Sequence, residues 1–251
     1  MATNLVYKLK RIIRPPLFRV LNRGKEVFQC PVCEYTGPFK DKGLRKHAKC
    51  PKCGALERTR LQFLVIREVL GPLDTSIMKA LHFAPEPCIQ EYLEAKFGTY
   101  ETADLNRKDV DHRIDIQELP FADGSFDFIF ASHIMEYPSN DRLAIQEVRR
   151  VLTPTGIAML PVPLVHEKTV DLAVRDSVTR MMHEPGLDYF DRYKQCFPRV
   201  VLYSTESFGE QYQLYTYRDE NILGGRFKGS YPLEVQEGKY MDIVPVCYVA
   251  E

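Results

Sequence analysis

The chain has 251 residues, 45% of them hydrophobic, enough for one sizeable core and a small satellite. Its net charge is zero, yet residues 1–60 hold fifteen Lys and Arg against four acids, a formal +11 that the rest of the chain balances with −11. No apolar run reaches the roughly 18 residues that cross a bilayer, and Lys8, Lys10, Arg11 and Arg14 interrupt the opening stretch; a spanning helix and a secretory signal are both excluded, and a cytoplasmic protein is expected.

Residues 1–26 form a basic N-terminal segment in which apolar and basic residues mix, and Pro15-Pro16 is expected to break any helix near its middle. Such a segment can lie on a membrane surface, making peripheral contact without a transmembrane segment, or pack on the chain's own body, which the composition favours. The basic head as a whole points to an anionic counterpart, whether nucleic acid, membrane surface or the acidic body, and is equally compatible with a plain solvated surface.

The next segment, residues 27–60, reads FQCPVCEYTGPFKDKGLRKHAKCPKCGALERTRL across its cysteines. Cys30 and Cys33, then Cys50 and Cys53, form two C-x2-C pairs sixteen residues apart. Two residues between thiols let one tight turn aim both sulfurs at one ion, and two such turns close a tetrahedral zinc site. His47 is a fifth donor type nearby, but four thiolates already fill the sphere. A closed site leaves no position for water, so this zinc is expected to organise structure and not to catalyse. Cys88, Cys196 and Cys247 make the total odd, which argues for reduced thiols instead of a disulfide framework.

Residues 61–251 are read as one catalytic domain, with 206–240 as an insertion at the acceptor side. Glu57–Leu70 has helical spacing and stops at Gly71-Pro72. Then come the strand MKALHF, a helix over 88–97, the strand TYETAD, a short HRIDI, the strand FDFIFAS, a helix over 141–152 and the strand GIAMLPVPL. Alternation of this kind favours an α/β fold with a doubly wound, mostly parallel Rossmann-like sheet, preceded by the small zinc ribbon or knuckle. Residues 167–182 read as helix, RVVLYST and IVPVCYVA as late strands, and YQLYTY as pocket tyrosines or an ordinary hairpin strand. In open sheets of this class ligands sit beyond the carboxyl ends of the strands, so the residues following MKALHF, TYETAD, HRID and FIFAS are the ones to question.

Over residues 80–164 the order and spacing of Asp104 in TADL, Asp115 in DIQELPFADGSFD, FDFIFASHIMEY and EVRRVLTPTGIAMLPVP resemble class I S-adenosylmethionine-dependent methyltransferases of the type 11 group. The resemblance implies the fold above, S-adenosylmethionine as cofactor and a set of site residues. Asp104 would accept from the ribose hydroxyls, with Leu105 beside it; Asp115 would accept from the adenine amine and the Ile116 N–H would face the ring, walled by Phe83 and Leu119. Ser132 would complete the cofactor site. The same two acids have a plain alternative use as turn caps. The chain departs from the group at its first loop, LHFAPEPC, which has no glycine. His82 stands where the group has an acid, Ala84 and Pro85 can make the turn, and Glu86 is placed to pair with the cofactor's amino group.

His133, just past the FIFAS strand, lies where a methyl acceptor would sit. It suits a general base, or a loop-shaping partner of Glu136. Tyr212, Tyr215 and Tyr217 are candidates for the acceptor pocket. The leading functional reading is methyl transfer to an O or N atom of a small metabolite or saccharide. RNA methylation with the zinc module gripping phosphates is a second, and a non-catalytic partner protein with the same fold a third.

Overall fold

A computed structural model describes residues 15–43, 45–217 and 233–251. Most of the basic opening segment and the middle of the 206–240 insertion therefore lie outside the described residues. Residues 15–21 are helical, with Pro15 and Pro16 at the start of that described stretch.

The four-cysteine module is built from two short hairpins. β1 (Phe28–Gln29) pairs with β2 (Thr36–Gly37), and β3 (Lys40–Lys42) with β4 (Arg45–Lys49). Each C-x2-C pair makes the same turn. The Glu34 N–H donates to the Cys30 carbonyl at 2.9 Å and the Cys30 N–H to Tyr35 O at 2.8 Å; the Gly54 N–H donates to Cys50 O at 3.0 Å and the Cys50 N–H to Ala55 O at 2.9 Å. Both turns need a left-handed residue after the second cysteine. Gly54 meets this at φ 84°, whereas Glu34 does so at φ 61°, a conformation that costs an L-residue roughly 1–2 kcal/mol.

α1 (Glu57–Leu70) follows the second pair directly and carries the contact between module and body. Its Arg60 is fully buried. The guanidinium donates to the carbonyls of Ala48 and Ala55 in the module (both 2.9 Å) and to those of Tyr212 and Gln213 in the body, and lies 4.5 Å from the Phe39 ring centroid. A carbonyl stripped of its donor in such a place costs about 1–3 kcal/mol, so this side chain couples the two regions strongly.

The body is a seven-stranded sheet. β5 (Lys79–Phe83), α2 (Pro87–Glu94) and β6 (Thr99–Asp104) form one crossover, continued by β7 (His112–Arg113). β8 (Phe126–Ala131), α3 (Asp141–Val151) and β9 (Leu152–Met159) form the next. The strand pair β10 (Val170–Asp171) and β11 (His183–Glu184), the short α4 (Phe190–Lys194) and β12 (Arg199–Ser204) follow. A small sheet of β13 (Thr216–Tyr217), β14 (Glu234–Gln236) and β15 (Lys239–Tyr240) precedes β16 (Ile243–Tyr248). The spatial order is β12-β16-β9-β8-β5-β6-β7; β16 runs antiparallel to both neighbours and the rest of the ladder is parallel. This is the expected doubly wound, Rossmann-like arrangement.

Strand alternation fills both faces. Leu81, Phe83, Ala103, Ile129, Ala131 and Ala158 pack with Ala144, Ile145 and Val148 of α3 and Tyr193 of α4. Ala80, Phe128, Phe130, Met159, Val244 and Val246 pack with Leu61, Val65 and Val69 of α1 and Ile89 and Leu93 of α2. With helices on opposite faces of the two crossovers, the chain reverses its direction of growth between β5 and β8, which opens a crevice at their carboxyl ends.

One expected element is absent. Residues 167–182 are not a helix but an arm on the β10–β11 pair, closed by bonds from Leu172 N–H to Met182 O (2.8 Å) and Asp176 N–H to Met181 O (2.9 Å). The Asp176 carboxylate takes the N–H groups of Val178 and Thr179, and Arg180 adopts φ 66°. An aspartate serving backbone donors two and three residues ahead makes a turn, and it overrides the weak helical spacing. An ion cluster with its inner half buried anchors the arm: buried Arg192 bonds buried Asp141 and, at 2.8 Å, both oxygens of the exposed Asp171, while His183 Nδ1 lies 2.6 Å from Asp171. The YQLYTY segment is strand only at β13.

Candidate active site

Two non-glycine residues in the left-handed region flank the crevice. Ala84, at φ 47°, follows β5, and His133, at φ 54°, follows β8. Each is pinned from behind: the Ala84 N–H donates to Ala103 O and the His133 N–H to Pro161 O, both at 2.8 Å. Strained backbone at the ends of the two central strands is the mark of a built site. At Ala84 the smallest side chain does the work of the missing glycine, and Arg107 holds the turn by donating to Pro85 O at 3.0 Å.

A cavity of about 710 Å³ opens on the β6–β7 side of this point. Phe83, Ala84, Asp104, Leu105, Asp115 and Ile116 line it, so the structure brings six of the nine sequence-predicted cofactor residues together. Asp104 Oδ1 accepts the N–H groups of Asn106 (2.7 Å) and Arg107 (2.9 Å), while Oδ2 makes no hydrogen bond to a described residue. Turn capping thus occupies one oxygen of a carboxylate that also lines the cavity. Asp115 is held by Gln117, whose N–H donates to Oδ1 at 2.9 Å and whose amide reaches both oxygens at 3.1–3.2 Å. Gln117 Oε1 in turn accepts from Ser139 Oγ and the Asn140 N–H at the start of α3. Leu119 is buried and does not line the cavity. Arg175 and Arg180, from the arm, do; sequence spacing could not find them because the arm reads as helix there.

A second cavity of about 450 Å³ lies on the other side, sharing Ala84, Ile134 and Tyr137 with the first. Glu86, Ser132 and His133 line it. Its far wall comes from the module junction, Arg45, Glu57 and Arg58, and from Thr216, Tyr240 and Asp242. Glu136 is 1% exposed, with Oε1 3.6 Å from His133 Nδ1. Glu136 Oε2 and His133 Nε2 are both buried without a hydrogen-bond partner among the described residues. Burial pushes the Tyr137 hydroxyl above its usual range, with the Glu136 charge adding to the effect and Arg58 opposing it.

His82 lines neither cavity. It is fully buried on the α1–α2 face of the sheet, against Phe130, with Nδ1 2.8 Å from the Tyr100 hydroxyl and Nε2 3.3 Å from Glu86 Oε2. The alternation that turns Leu81 and Phe83 to one face turns Ala80 and His82 to the other, a signal present in MKALHF itself. His82 therefore supports Glu86 from below. Of the three tyrosines, Tyr212 packs on the core, Tyr215 lies under Lys239 and Tyr217 against His47, while Thr216 between the last two faces the cavity.

Cys30, Cys33, Cys50 and Cys53 bring their sulfurs within 4.8 Å of one another, with Cys30–Cys53 at 3.5 Å and Cys33–Cys50 at 3.6 Å. Tetrahedral zinc with Zn–S near 2.3 Å requires S···S edges of about 3.8 Å, so the donor set fits. His47 stays out of the cluster, its ring against Phe28.

With the geometry in view, residues 92–160 match a family model described as a methyltransferase domain, which takes in Asp104, Asp115, His133 and Glu136. Over that stretch the chain resembles a methyltransferase domain. The matched stretch includes β6 to β9 and the loop after β8, while the Ala84 turn after β5 precedes it. A search of the curated proteins finds no match. Among solved structures, an S-adenosylmethionine-dependent methyltransferase from Mesorhizobium loti shares 10% identity over 75% of this chain and 97% of its own, at TM-score 0.48. The 1,6-didemethyltoxoflavin-N1-methyltransferase of Burkholderia thailandensis, solved with S-adenosylhomocysteine, shares 11% over 75% and 76%, at 0.46. Phosphoethanolamine N-methyltransferase 2 of Haemonchus contortus shares 13% over 76% and 53%, at 0.49. No helix among the described residues is long and apolar enough to cross a membrane.

Proposed function

We propose that this chain moves a methyl group from S-adenosylmethionine to an O or N atom of a small metabolite or saccharide, with one zinc ion held by Cys30, Cys33, Cys50 and Cys53. The observation that carries the reading is Asp104 at the carboxyl end of β6, which lines a 710 Å³ cavity at the point where the sheet reverses and whose Oδ2 makes no hydrogen bond to a described residue. Bound S-adenosylmethionine supplies an electrophilic methyl on a sulfonium; the chain's task is alignment and proton management. Asp104 would take the ribose hydroxyls, Asp115 and Ile116 would face the adenine, and Phe83 and Leu105 would wall it. Ala84 and Glu86, at the border of the two cavities, would hold the methionine end. His133 and Ser132 would then meet an acceptor in the 450 Å³ cavity, where the unpartnered His133 Nε2 can take a proton. The zinc has all four positions filled by thiolate and would serve as structure alone.

Calorimetric titration of the unaltered protein with S-adenosylmethionine and S-adenosylhomocysteine tests the reading. Binding of both at micromolar concentration is expected. No binding of either at millimolar concentration would leave a non-catalytic partner protein that keeps the fold.

A further inference from the structure

The four-cysteine module presents an apolar face that its own fold leaves uncovered. In the helical stretch 15–21, Leu17, Val20 and Leu21 lie at i, i+3 and i+4 and so share one side, yet they are 55%, 50% and 73% exposed. Val27 follows six residues on, at 57%. Surface aliphatics scattered singly need no explanation, but here four large ones fall within eleven residues. Another side of the helix meets the protein. Pro15 is buried, Phe18 is half-buried, and the Lys40 ammonium of β3 lies 5.0 Å from the Phe18 ring centroid. The helix is thus seated on the module with its leucines outward. Charge frames the same stretch: Arg19 and Arg23, four residues apart, and Lys25 are exposed and make no ion pair with a described residue. Upstream the sequence has the same character, with Lys8, Lys10, Arg11 and Arg14 among Leu9, Ile12 and Ile13, and seven bases precede the first acid, Glu26.

We propose that this face docks on an anionic membrane surface, with Leu17, Val20 and Leu21 entering between lipid headgroups and Arg19, Arg23 and Lys25 pairing with lipid phosphates. Nucleic acid would satisfy the bases but gives aliphatic side chains no place to go. A second copy would cover the leucines but bring two sets of unpaired guanidiniums toward each other. A charged headgroup layer over hydrocarbon answers both features at once. Apolar insertion by so short a face is weak alone, and each base near a negatively charged leaflet adds roughly fivefold, so docking should need anionic lipid. The inference stands apart from the methyl-transfer reading and holds or fails without it.

The test is co-sedimentation of the full chain with vesicles of phosphatidylcholine alone or of three parts phosphatidylcholine to one part phosphatidylglycerol. Affinity for the mixed vesicles should be at least tenfold higher, and most of that gain should vanish between about 0.1 and about 1 M salt, as the Debye length shrinks from about 10 to about 3 Å. Leu17→Ser with Leu21→Ser should weaken binding to mixed vesicles at least tenfold. Arg19→Gln with Arg23→Gln should cut the preference for mixed over neutral vesicles at least fivefold. All four side chains are exposed, so the thermal midpoint should not move. The chain has no Trp, so Leu21→Trp adds a single reporter whose emission should shift to shorter wavelength on mixed vesicles. No sedimentation at millimolar lipid, binding that the leucine variant keeps in full, or unshifted emission from vesicle-bound Leu21→Trp would each overturn the proposal. A single-stranded oligoribonucleotide that strips the protein from vesicles at equal phosphate concentration would assign the surface to nucleic acid instead. A dimer in light scattering that the leucine variant dissolves would assign it to a second copy, and either result overturns the membrane.

Discussion

On the β6–β7 side of the crevice, where the proposed cofactor would lie, the protein itself orients the key acids. Asp104 serves two backbone N–H groups and Asp115 is clasped by Gln117, so both carboxylates sit in place before any ligand arrives. On the acceptor side the polar groups are left open, with Glu136 Oε2, His133 Nε2 and Arg45 Nε buried and unpartnered among the described residues. The first half is a preformed cradle that any sequence with those turns can make. The second is assembled from parts 197 residues apart in the chain, Arg45 to Asp242. One half has generic geometry and the other specific chemistry, and experiments should be able to affect them one at a time.

Removing the metal should have the largest effect. Structural zinc sites bind with an apparent 10–16 kcal/mol, roughly the stability of a whole domain, so a module this small should lose its fold without the ion. Arg45, Glu57 and Arg58 would go with it, opening the acceptor cavity, while Asp104 and Asp115 stay in the sheet. Hydrogen exchange after chelation should show lost protection over residues 28–55 and retained protection over 79–104, with binding of S-adenosylhomocysteine largely kept. Loss of both regions together would show that the Arg60 bonds make them one cooperative unit; elemental analysis finding no metal in protein purified without chelator would remove the zinc altogether.

Asp104 comes next. Asp104→Ala deletes a charged acceptor, and hydrogen bonds to charged groups contribute about 1.5–3 kcal/mol. Affinity for S-adenosylmethionine should fall about ten- to hundredfold. Because Oδ1 also caps the Asn106–Arg107 turn, Asp104→Asn is the sharper variant: it keeps a turn acceptor and removes only the charge, so its loss should be smaller than that of alanine. Calorimetry on both separates turn from ligand. Affinity that survives Asp104→Ala intact would move the cofactor out of the 710 Å³ cavity.

Much of this division was already written in the order of residues. Asp104, Leu105, Asp115 and Ile116 follow strands whose carboxyl ends define the crevice, and chain order alone places them. The two C-x2-C pairs likewise specify a cluster through local turns. What could not be read comes from contacts between distant segments. Arg45 and Arg58 reach the acceptor wall only because Arg60 clamps the module onto residues 212–213, and Arg175 and Arg180 reach the cofactor cavity only because an aspartate turn replaces the expected helix. His82 was legible but misplaced: its position near the end of the MKALHF strand suggested the mouth, while the two-residue period of that strand put it underneath.

The smallest effect concerns that buried histidine. Burial pushes the His82 imidazole below its usual range, and its hydrogen bond to Glu86 offsets this only in part. In the unfolded chain the group titrates near 6.5. As pH falls through that value the unfolded state takes up a proton that the folded state resists, so folding stability must drop, and it continues to drop until the lower folded pKa is reached. The same interval should loosen the Ala84–Glu86 turn, since a protonated imidazole would draw Glu86 Oε2 inward and away from the cavity it lines. Chemical unfolding at pH 7.5 and 5.5 should therefore show a smaller pH dependence in His82→Gln than in the unaltered protein, with the remainder coming from other groups. Equal slopes in the two proteins would mean that His82 is already satisfied in both charge states, and that the cofactor-side loop rests on a passive support.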